Sequence, residues 1–345
     1  MPMKILLVKL GALGDVLRTT PLLTALKKKF PEAKVTWIVE AAHADILSGN
    51  QLIDDLRVYS EQILADLKNE SFDWAINLDK EDEALNCLVN ARAQKKSGFG
   101  RDKNGKLCAV DPLSDYAYRL GVDDELKFRQ NKKTYQQISF EQVGLNFASE
   151  DYLFSPDPES TEAVDLFLKS AGHSLAASQG PVIGLNTGSG RRFAGKKLPV
   201  STYVELVRNF SDRLKAIVLL LGGDDEIERN SQIEKLCSRP VINTGSHSIR
   251  RFAAIVKKCD LVVSGDTTAM HIAIAMKVPV IAHFASTCAA EIELYGRGAK
   301  IVSTISCAPC YKRICPIDEQ CMKDMTADEI FTAVSAQLNK NRLQQ

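Results

Sequence analysis

The stretch KILLVKLGALGDVLRTTP, residues 4–21, decides the fold. Its apolar run predicts a buried strand, Gly11 and Gly14 predict a tight turn, and the residues that follow predict a helix. A strand, a glycine turn and a helix in this order are typical of parallel α/β sheets, where the turn usually holds a phosphate. This turn differs because, where a phosphate loop offers a lysine, it offers the carboxylate of Asp15.

The length and composition of the chain are those of an ordinary globular protein. Its 345 residues exceed the size at which a single core stops growing, so we expect two domains of roughly 150 to 180 residues. The 44 Lys and Arg residues nearly balance the 43 Asp and Glu residues, which leaves a formal charge of +1. This balance does not indicate a nucleic acid as partner.

Membrane-spanning and secretory patterns are not seen in the sequence. No apolar run approaches the roughly 18 to 20 residues that a membrane span needs, and MPMK leads straight into the first strand. We therefore expect a cytoplasmic protein.

Apolar runs alternate with helical patterns along the first half of the chain. The runs are KILLVKL, KVTWIVE, DWAINLD and KKSGFG, and the helical patterns include TTPLLTALKKKF and EDEALNCLVNARAQ. This alternation is typical of a parallel sheet with crossover helices. Two prolines and a polar run in YLFSPDPES, residues 152–160, then indicate a domain boundary near residue 155.

The same alternation restarts in the second half. Short β-rich runs occur in PVIGLNTGSG, AIVLLLGGDDE, PVINTG, DLVVSGDTTAMH and PVIAHFA. We therefore predict an α/β protein with two doubly wound domains, residues 1–155 and 156–325, and a C-terminal helix at 326–345 that fades into LNKNRLQQ. Because ligands bind at the carboxyl edge of such sheets, we expect the domains to face an interdomain cleft.

The segment SGDTTAMHIAIAM, residues 264–276, predicts a phosphate site. Asp266 precedes an apolar helix that Thr267 or Thr268 would cap. The first N–H groups and the positive dipole end of that helix suit a diphosphate, and His271, one turn further on, could donate to a phosphate oxygen. The alternative is a capped core helix with a hydrogen-bonded histidine.

Three interpretations fit the basic segment GRRFAGKK, residues 190–197. It matches part of the phosphate loop of nucleoside triphosphatases, but Lys197 stands where the magnesium-binding Ser or Thr should be. It could instead be a solvated basic loop, or a loop whose four cations meet phosphate without a Walker fold. Those cations are Arg191, Arg192, Lys196 and Lys197.

Acidic residues follow Gly222 and Gly223 in LLLGGDDEIERN, residues 219–230. An acid at the edge of such a sheet can accept the hydroxyls of a ribose, and Glu226 is our choice for that role. The alternative is that these acids only stabilise a helix N-terminus.

Four of the nine cysteines crowd into CAPCYKRICPIDEQC, residues 307–321. Cys307 and Cys310 have metal-ligand spacing, whereas Cys315 and Cys321 lack the usual tight spacing. A structural zinc is therefore expected ahead of an iron–sulfur cluster, with disulfides as the alternative in an oxidising environment. A catalytic role is not expected, because four thiolates would close the coordination sphere.

Asp15 itself has two interpretations. An aspartate ahead of an apolar helix is most often a helix cap. The flanking glycines, however, let the backbone approach a ligand closely, and a carboxylate opposite a phosphate-bound leaving group suits a general base.

Three motifs together resemble the bacterial heptosyltransferases of glycosyltransferase family 9. They are KILLVKLGALGDVL near the start, GLNTGSG with KKLP, and SGDTTAMH late in the chain. The resemblance covers most of the chain and implies a GT-B fold, with the acceptor on the first Rossmann-like domain and the nucleotide sugar on the second. It also implies an inverting transfer of L-glycero-D-manno-heptose from ADP-heptose to the lipopolysaccharide inner core, with no cofactor required.

The resemblance also assigns roles to residues. Asp15 falls on the family's proposed general base, Lys196 on the lysine that meets the donor phosphates, and Glu226 near the acid for the nucleotide ribose. The acceptor side includes Gly11, Gly14 and Arg18. The implied donor site comprises Thr187, Gly188, Lys196, Glu226, Asp266, Thr267, Thr268, Ala269 and His271.

The chain departs from the family pattern around the donor. It has NTGS for HPGA at 186–189, KKLP for KRWP at 196–199, and DTTAMH for DTGPMH at 266–271. Another nucleotide-sugar donor, or a nucleotide-sugar epimerase of the same fold, therefore stays an alternative, as does a P-loop ATPase or kinase from another class.

The expected acceptor is lipid-linked, so peripheral contact with the inner face of the inner membrane is expected as well. A basic face on the acceptor side would suit a phosphorylated or carboxylated glycolipid, although a solvated charged loop is the commoner explanation. The residues of this face are Lys95, Lys96, Arg101 and Lys103.

Overall fold

The computed structural model describes residues 1–170, 180–190, 193 and 195–343, which form two compact units. The first unit contains Met1–Phe154 together with Ala290–Glu293, and the second contains Ser155–Ala289 and Leu294–Gln345. The junction after Phe154 lies inside YLFSPDPES. Nothing in the sequence indicated that residues 290–293 belong to the first unit.

A largely parallel sheet forms the centre of the first unit. Its described strands are β1 (Lys4–Val8), β2 (Lys34–Val39), β3 (Asp55–Val58), β4 (Ser71–Asn77), β5 (Arg92–Arg101) and β6 (Leu107–Ala109). The strand order is β3-β2-β1-β4-β5-β6, and only the pairing of β5 with β6 is antiparallel among these strands. β1 is central and buried from its second residue onward, as expected for a parallel strand covered on both faces.

Short helices connect these strands. The helices described in the first unit are α1 (Leu13–Thr19), α2 (Pro21–Lys29), α3 (Ala44–Leu47), α4 (Glu61–Asn69), α5 (Asp82–Asn90), α6 (Asp115–Arg119) and α7 (Tyr135–Gln142). Proline begins α2 at the one helical position where its missing N–H has no cost. A capping box formed by Thr134 and Gln137 begins α7.

The four strands predicted in the first half are confirmed as β1, β2, β4 and β5. The predicted helix EDEALNCLVNARAQ is too long, because α5 ends at Asn90 and β5 already begins at Arg92. β3 and β6 were not predicted. Both are short, partly exposed strands at the sheet edges, so they carry little apolar pattern.

The second unit repeats this architecture with a fully parallel sheet. Its described strands are β7 (Val182–Asn186), β8 (Ile217–Leu221), β9 (Ile242–Asn243), β10 (Leu261–Gly265), β11 (Val280–Phe284) and β12 (Gly298–Val302). The order is β12-β11-β10-β7-β8-β9, which has the same reversal as the first sheet. The five predicted strands are confirmed, and β12 is an addition.

The helices described in the second unit are α8 (Pro158–Ser170), α9 (Val200–Leu214), α10 (Ile227–Leu236), α11 (Ile249–Lys257), α12 (Thr268–Ala275), α13 (Gln320–Lys323) and α14 (Ala327–Arg342). Across the described residues of both units, no helix is long and apolar enough to cross a bilayer. The strand orders of the two sheets make both units Rossmann-like α/β folds, as predicted.

The C-terminal helix α14 completes the core of the second unit. Its N-cap Thr326 accepts a hydrogen bond from the Glu329 N–H, and Phe331 stacks on Phe210 of α9 with ring centroids 6.1 Å apart. The predicted C-terminal helix runs from Ala327 to Arg342, and Leu338, the first residue of the stretch that was expected to fade, packs into the core.

Leu338→Ala should lower the free energy of unfolding of the second unit by about 2 to 5 kcal/mol, because it leaves a cavity in a packed core. Leu343→Ala, a few residues further on, is the matched control, since Leu343 is 89% exposed and its truncation should cost almost nothing. Thermal or urea unfolding measures both. Equal stability of the two variants would contradict this account of α14.

Candidate active site

In the first unit, the turns after β1 and β4 meet where the strand order reverses. β1 and β4 are paired neighbours, and the chain leaves both at the carboxyl edge of the sheet. Open α/β sheets bind their ligands at this point. The glycine turn that follows β1 therefore lies at the position expected for a ligand site.

Asp79, which follows β4, holds the glycine turn in place. Its buried carboxylate accepts the backbone N–H of Leu10 at 3.0 Å and that of Gly11 at 3.3 Å. Asn77 orients Asp79 in turn, since its side chain accepts the Asp79 N–H and donates to the Asp79 carbonyl, both at 3.0 Å. The conformation of the turn thus depends on a side chain about seventy residues away.

Lys9 lies between two carboxylates. Its ammonium is 3.1 Å from Asp79 Oδ1 and 4.0 Å from Asp15 Oδ2, and its side chain is 5% exposed. Although burial by itself lowers the pKa of Lys9, the fields of Tyr135, Asp15 and Asp79 raise it above the ordinary value. Lys9 is therefore a buried cation that stays charged.

Asp15 is the solvent-accessible member of this group. Its side chain is 32% exposed, and its Oδ1 forms an ion pair with Arg18 Nη2 at 2.8 Å. The helix-cap interpretation is wrong, because Ala12 is the N-cap of α1 and Asp15 lies inside the first turn. The Asp15 carboxylate therefore lies beside two cations, Lys9 and Arg18, and part of it reaches the surface.

Arg18 is fixed by aromatic and polar contacts. Its guanidinium lies 3.9 Å from the ring centroid of Tyr135, whose hydroxyl bonds Thr19 Oγ1 at 2.8 Å. Burial opposes the charge of Arg18, but Asp15 and Glu291 raise its pKa. Arg18 is thus a rigid cation beside Asp15.

The two glycines of the motif have different roles. A Cβ at Gly11 would lie 2.9 Å from a ring carbon of His43, so no larger residue fits in this turn without movement. Gly14 is not in the turn, contrary to prediction, because it is a buried residue of α1. Gly11 therefore has the close-approach role that the sequence suggested, whereas Gly14 is part of the helix.

The predicted basic face on the acceptor side is largely engaged in local contacts. Lys95 lies 3.9 Å from the ring centroid of Trp74, Lys96 donates to the Leu88 carbonyl at the end of α5, and Arg101 pairs with Asp82 at 2.6 Å. Lys103 is exposed. These contacts favour the interpretation of a structural charged surface over that of an acceptor site.

A polar layer joins the turns after β7 and β10 in the second unit. The Asn186 side-chain amide contacts the Gly188 carbonyl, Ser264 Oγ and Thr267 Oγ1 at 3.0 to 3.3 Å. Thr267 is the N-cap of α12, but its hydroxyl bonds Ser264 instead of a helix N–H. The first N–H groups of α12, from Thr268 onward, have no intrahelical acceptor.

Lys196 is held close to this helix end. Its ammonium lies 3.8 Å from Asp266 Oδ2, and Gly265 lies against the backbone carbonyl of Lys196. His271 is buried in α12, one turn further on, and Ala269 is buried beside the N-cap. Lys196 is therefore paired with Asp266, the residue directly before the N-cap of α12.

The loop that carries Lys196 is not a phosphate loop of the nucleoside triphosphatase type. The next helix, α9, begins only at Val200 after the N-cap Pro199, whereas a Walker loop leads directly into its helix. Arg191 and Arg192, which the third interpretation also included, lie outside the described residues.

Glu226 is buried against two glycines. A Cβ at Gly188 would lie 2.4 Å from its carboxyl carbon, and one at Gly222 would lie 2.6 Å from its Cβ. Its Oε2 accepts the Gly223 N–H at 3.0 Å, while its buried Oε1 has no hydrogen-bond partner among the described residues. A buried carboxylate oxygen needs a donor, and the hydroxyl of a ribose would supply one.

The side chain of Thr187 already has a partner within the second unit. Its hydroxyl donates to Asn230 Oδ1, and the residue is fully buried. The resemblance to family 9 placed Thr187 beside the phosphates, but its hydroxyl instead fixes α10 to the end of β7.

Sequence reasoning missed Lys9, Asp79 and His283. Each lies in or directly after an apolar strand run, and a charged or polar residue there has to be paired or functional. His283 on β11 is buried, and neither ring nitrogen has a hydrogen-bond partner in the part of the chain that the structure describes. Burial, together with Lys196, lowers the pKa of His283 to about 4.

The four clustered cysteines differ in their exposure. Cys321 is buried and Cys307 exposed, and within the described ranges no three His, Cys, Asp or Glu side chains have an arrangement that could hold a metal ion. Burial and the other three thiols raise the pKa of Cys321 to about 11, so the four residues are neighbours. The structural zinc stays a prediction.

Comparison with known proteins decides the family. The profile of glycosyltransferase family 9 (heptosyltransferase) matches residues 62–320. The chain belongs to this family. Lipopolysaccharide heptosyltransferase 1 of Pseudomonas aeruginosa is 24% identical to the chain over 330 residues, which cover 91% of the chain and 87% of that protein. The family 9 chain is therefore a glycosyltransferase, as the motifs implied.

Solved structures of family 9 share the fold. The glycosyl transferase family 9 from Veillonella parvula has a TM-score of 0.76 at 19% identity, covering 98% of both chains. The E. coli heptosyltransferase WaaC with ADP has a TM-score of 0.63 at 19% identity, covering 98% of this chain and 99% of that one. The predicted GT-B fold is confirmed.

The buried His283 should make the second unit sensitive to acid. Above pH 6.5 this histidine is neutral in the folded and the unfolded chain, but between 6.5 and about 4 only the unfolded chain binds the proton. Stability is therefore lost as the pH falls through this window, by roughly 3 kcal/mol at its lower end.

His283→Leu removes this proton linkage. We expect the difference in melting temperature between His283→Leu and the wild type to grow in favour of the variant from pH 6.5 to about 4. Parallel curves for the two proteins would show that His283 is not neutral in the folded state.

Proposed function

We propose that this family 9 protein is an inverting, metal-independent glycosyltransferase with Asp15 as its general base. The observation that carries the proposal is the exposure of Asp15 and its position beside two buried cations. Its carboxylate is 32% exposed at the edge of the first sheet, while the two cations beside it, Lys9 and Arg18, are 5% and 14% exposed. A carboxylate that reaches the surface can accept the proton of a bound hydroxyl.

The proposed reaction is one displacement. Asp15 takes the proton of the acceptor hydroxyl as that oxygen forms its bond to the anomeric carbon. The bond from this carbon to the diphosphate breaks on the opposite side, and the nucleoside diphosphate leaves with the electron pair. The anomeric configuration is therefore inverted.

The second unit would bind the donor and stabilise the leaving group. Lys196 and the first N–H groups of α12 would place positive charge where the diphosphate gathers negative charge. Electrostatic stabilisation of this kind is the largest single contribution to the rate in many enzymes. The unpartnered oxygen of Glu226 would accept a ribose hydroxyl. These groups support a reaction in which no metal ion is needed to neutralise the diphosphate.

The proposed donor is ADP-L-glycero-D-manno-heptose, and the proposed acceptor is the lipopolysaccharide core or a related glycan. The name of the Pseudomonas relative and the ADP in the E. coli structure support this choice. We also propose that the enzyme works in the cytoplasm and contacts the inner membrane peripherally through its lipid-linked acceptor.

Asp15→Asn should lower kcat by roughly 10² to 10⁴-fold, because the amide keeps the shape of the side chain but cannot take the proton. Donor affinity, which the proposal places on the second unit, should stay within about twofold of the wild type. Asp115→Asn is the matched control, since Asp115 is an exposed aspartate in the first turn of α6. If Asp15→Asn lost donor affinity by as large a factor as it lost kcat, Asp15 would not be the general base.

A thermal-shift screen of nucleotide sugars tests the donor. ADP-heptose at about a hundredfold its Kd should raise the melting temperature by roughly 5 °C, with or without EDTA, because it binds only the folded state. A shift with a UDP- or GDP-sugar and none with ADP-heptose would overturn the proposed donor. Conversion of a nucleotide sugar without acceptor would indicate an epimerase.

Two variants connect the shift to the proposed ribose contact. Glu226→Gln should weaken donor binding about tenfold, which is the cost of a lost hydrogen bond to a charged group. Glu228→Gln is the control, because Glu228 lies exposed in the first turn of α10.

A further inference from the structure

Asp79, Lys9 and Asp15 form a continuous chain of contacts from β4 to the surface of the first unit. Asp79 Oδ2 accepts two N–H groups of the glycine turn, and its Oδ1 lies 3.1 Å from the Lys9 ammonium. That ammonium is in turn 4.0 Å from Asp15 Oδ2. Each member is thus held by the one before it.

We infer that Asp79 and Lys9 are positioning residues for Asp15, an inference that rests on the proposed role of Asp15 as general base. Asp79 sets the path of the turn from which α1 begins, and Lys9 favours the ionised form of the Asp15 carboxylate. Neither residue touches the substrate. Both act on the reaction only through Asp15.

Other charged groups face Asp15 from the elements packed around it. Arg18 of α1 pairs with it directly, and Tyr135 of α7, Tyr152 and Lys9 sense its charge. Further out, the titratable groups around the same turn are Asp79, Lys80, Glu291, Glu40 and His43. Arg18 remains in every variant below, so the effects of Lys9 and Asp79 are measured against a constant cation.

The opposite charges of Lys9 and Asp79 predict opposite effects on the pH profile of kcat. In Lys9→Met the Asp15 carboxylate loses a neighbouring cation, so it is protonated at higher pH. The acid limb, in which kcat falls as the pH is lowered, then moves up by about one pH unit or more. In Asp79→Asn a competing negative charge is lost, so the acid limb moves to lower pH or leaves the measured range. The double variant should return the limb toward the wild-type position.

The turn-holding role of Asp79 has a separate readout. Asp79→Ala leaves the N–H groups of Leu10 and Gly11 without their acceptor, which should displace Asp15 and lower kcat roughly 10- to 100-fold with little change in donor KM. Asp79→Asn keeps an acceptor oxygen and should recover much of this loss. A purely structural role would not separate Ala from Asn or move the limb in opposite directions.

Lys27→Met is the control, because Lys27 is a partly buried lysine, 18% exposed, that is paired with Asp54 at 2.7 Å in the same unit. Asp54 accepts the Val35 N–H near the start of β2, at the amino end of the strands and thus opposite to the carboxyl edge that carries Asp15. Loss of this lysine should leave the acid limb unchanged. Circular dichroism and ADP binding confirm that each variant is folded.

The decisive experiment measures kcat for all variants between about pH 5 and 9 with saturating donor and acceptor. An unmoved limb in Lys9→Met, or equal kcat in Asp79→Ala and the wild type, would overturn the inference while leaving the base assignment intact. Retained turnover in Asp15→Asn would instead overturn the proposed function, and the inference would fall with it.

Discussion

A buried ammonium is the constraint on which the first unit depends. Lys9 lies directly after the central strand and is almost fully buried, so its charge has to be matched by carboxylates in the same place. Asp79 supplies one of them and also accepts the backbone of the glycine turn. Because one carboxylate does both, the electrostatics of the site and the shape of the turn cannot vary independently, and α1 begins in one orientation.

The second unit has the same strand order, but neutral hydrogen bonds instead of buried charges hold its turns. There the turns at the sheet reversal are joined by neutral hydrogen bonds through Asn186, Ser264 and Thr267. These bonds satisfy the side chains among themselves and leave the helix end and Lys196 at the sheet edge. Asp266 lies 3.8 Å from the Lys196 ammonium and offsets part of its field, whereas the neutral layer leaves the positive end of α12 in place for an anionic ligand.

The two sites are opposite in charge and similar in construction. In each unit the loops after two neighbouring parallel strands hold each other by side chains, and the candidate functional group belongs to the helix or loop that follows. In the first unit that group is a carboxylate balanced by buried cations. A pair of Rossmann-like units with this arrangement fits a family of glycosyltransferases, since a transfer needs both an activated hydroxyl and a stabilised leaving group.

The sequence by itself determined the α/β class, most strands of both units, the helix end at Thr267 and the candidates Asp15, Lys196 and Glu226, because periodicity and glycine turns are local properties. It did not determine the edge strands β3, β6 and β12, the extent of α14, or the joining of residues 290–293 to the first unit. Lys9, Asp79 and His283 were missed for the same reason. Lys9 and Asp79 are partners about seventy residues apart that only the pairing of β1 with β4 brings together, and the burial of His283 likewise exists only in the folded sheet.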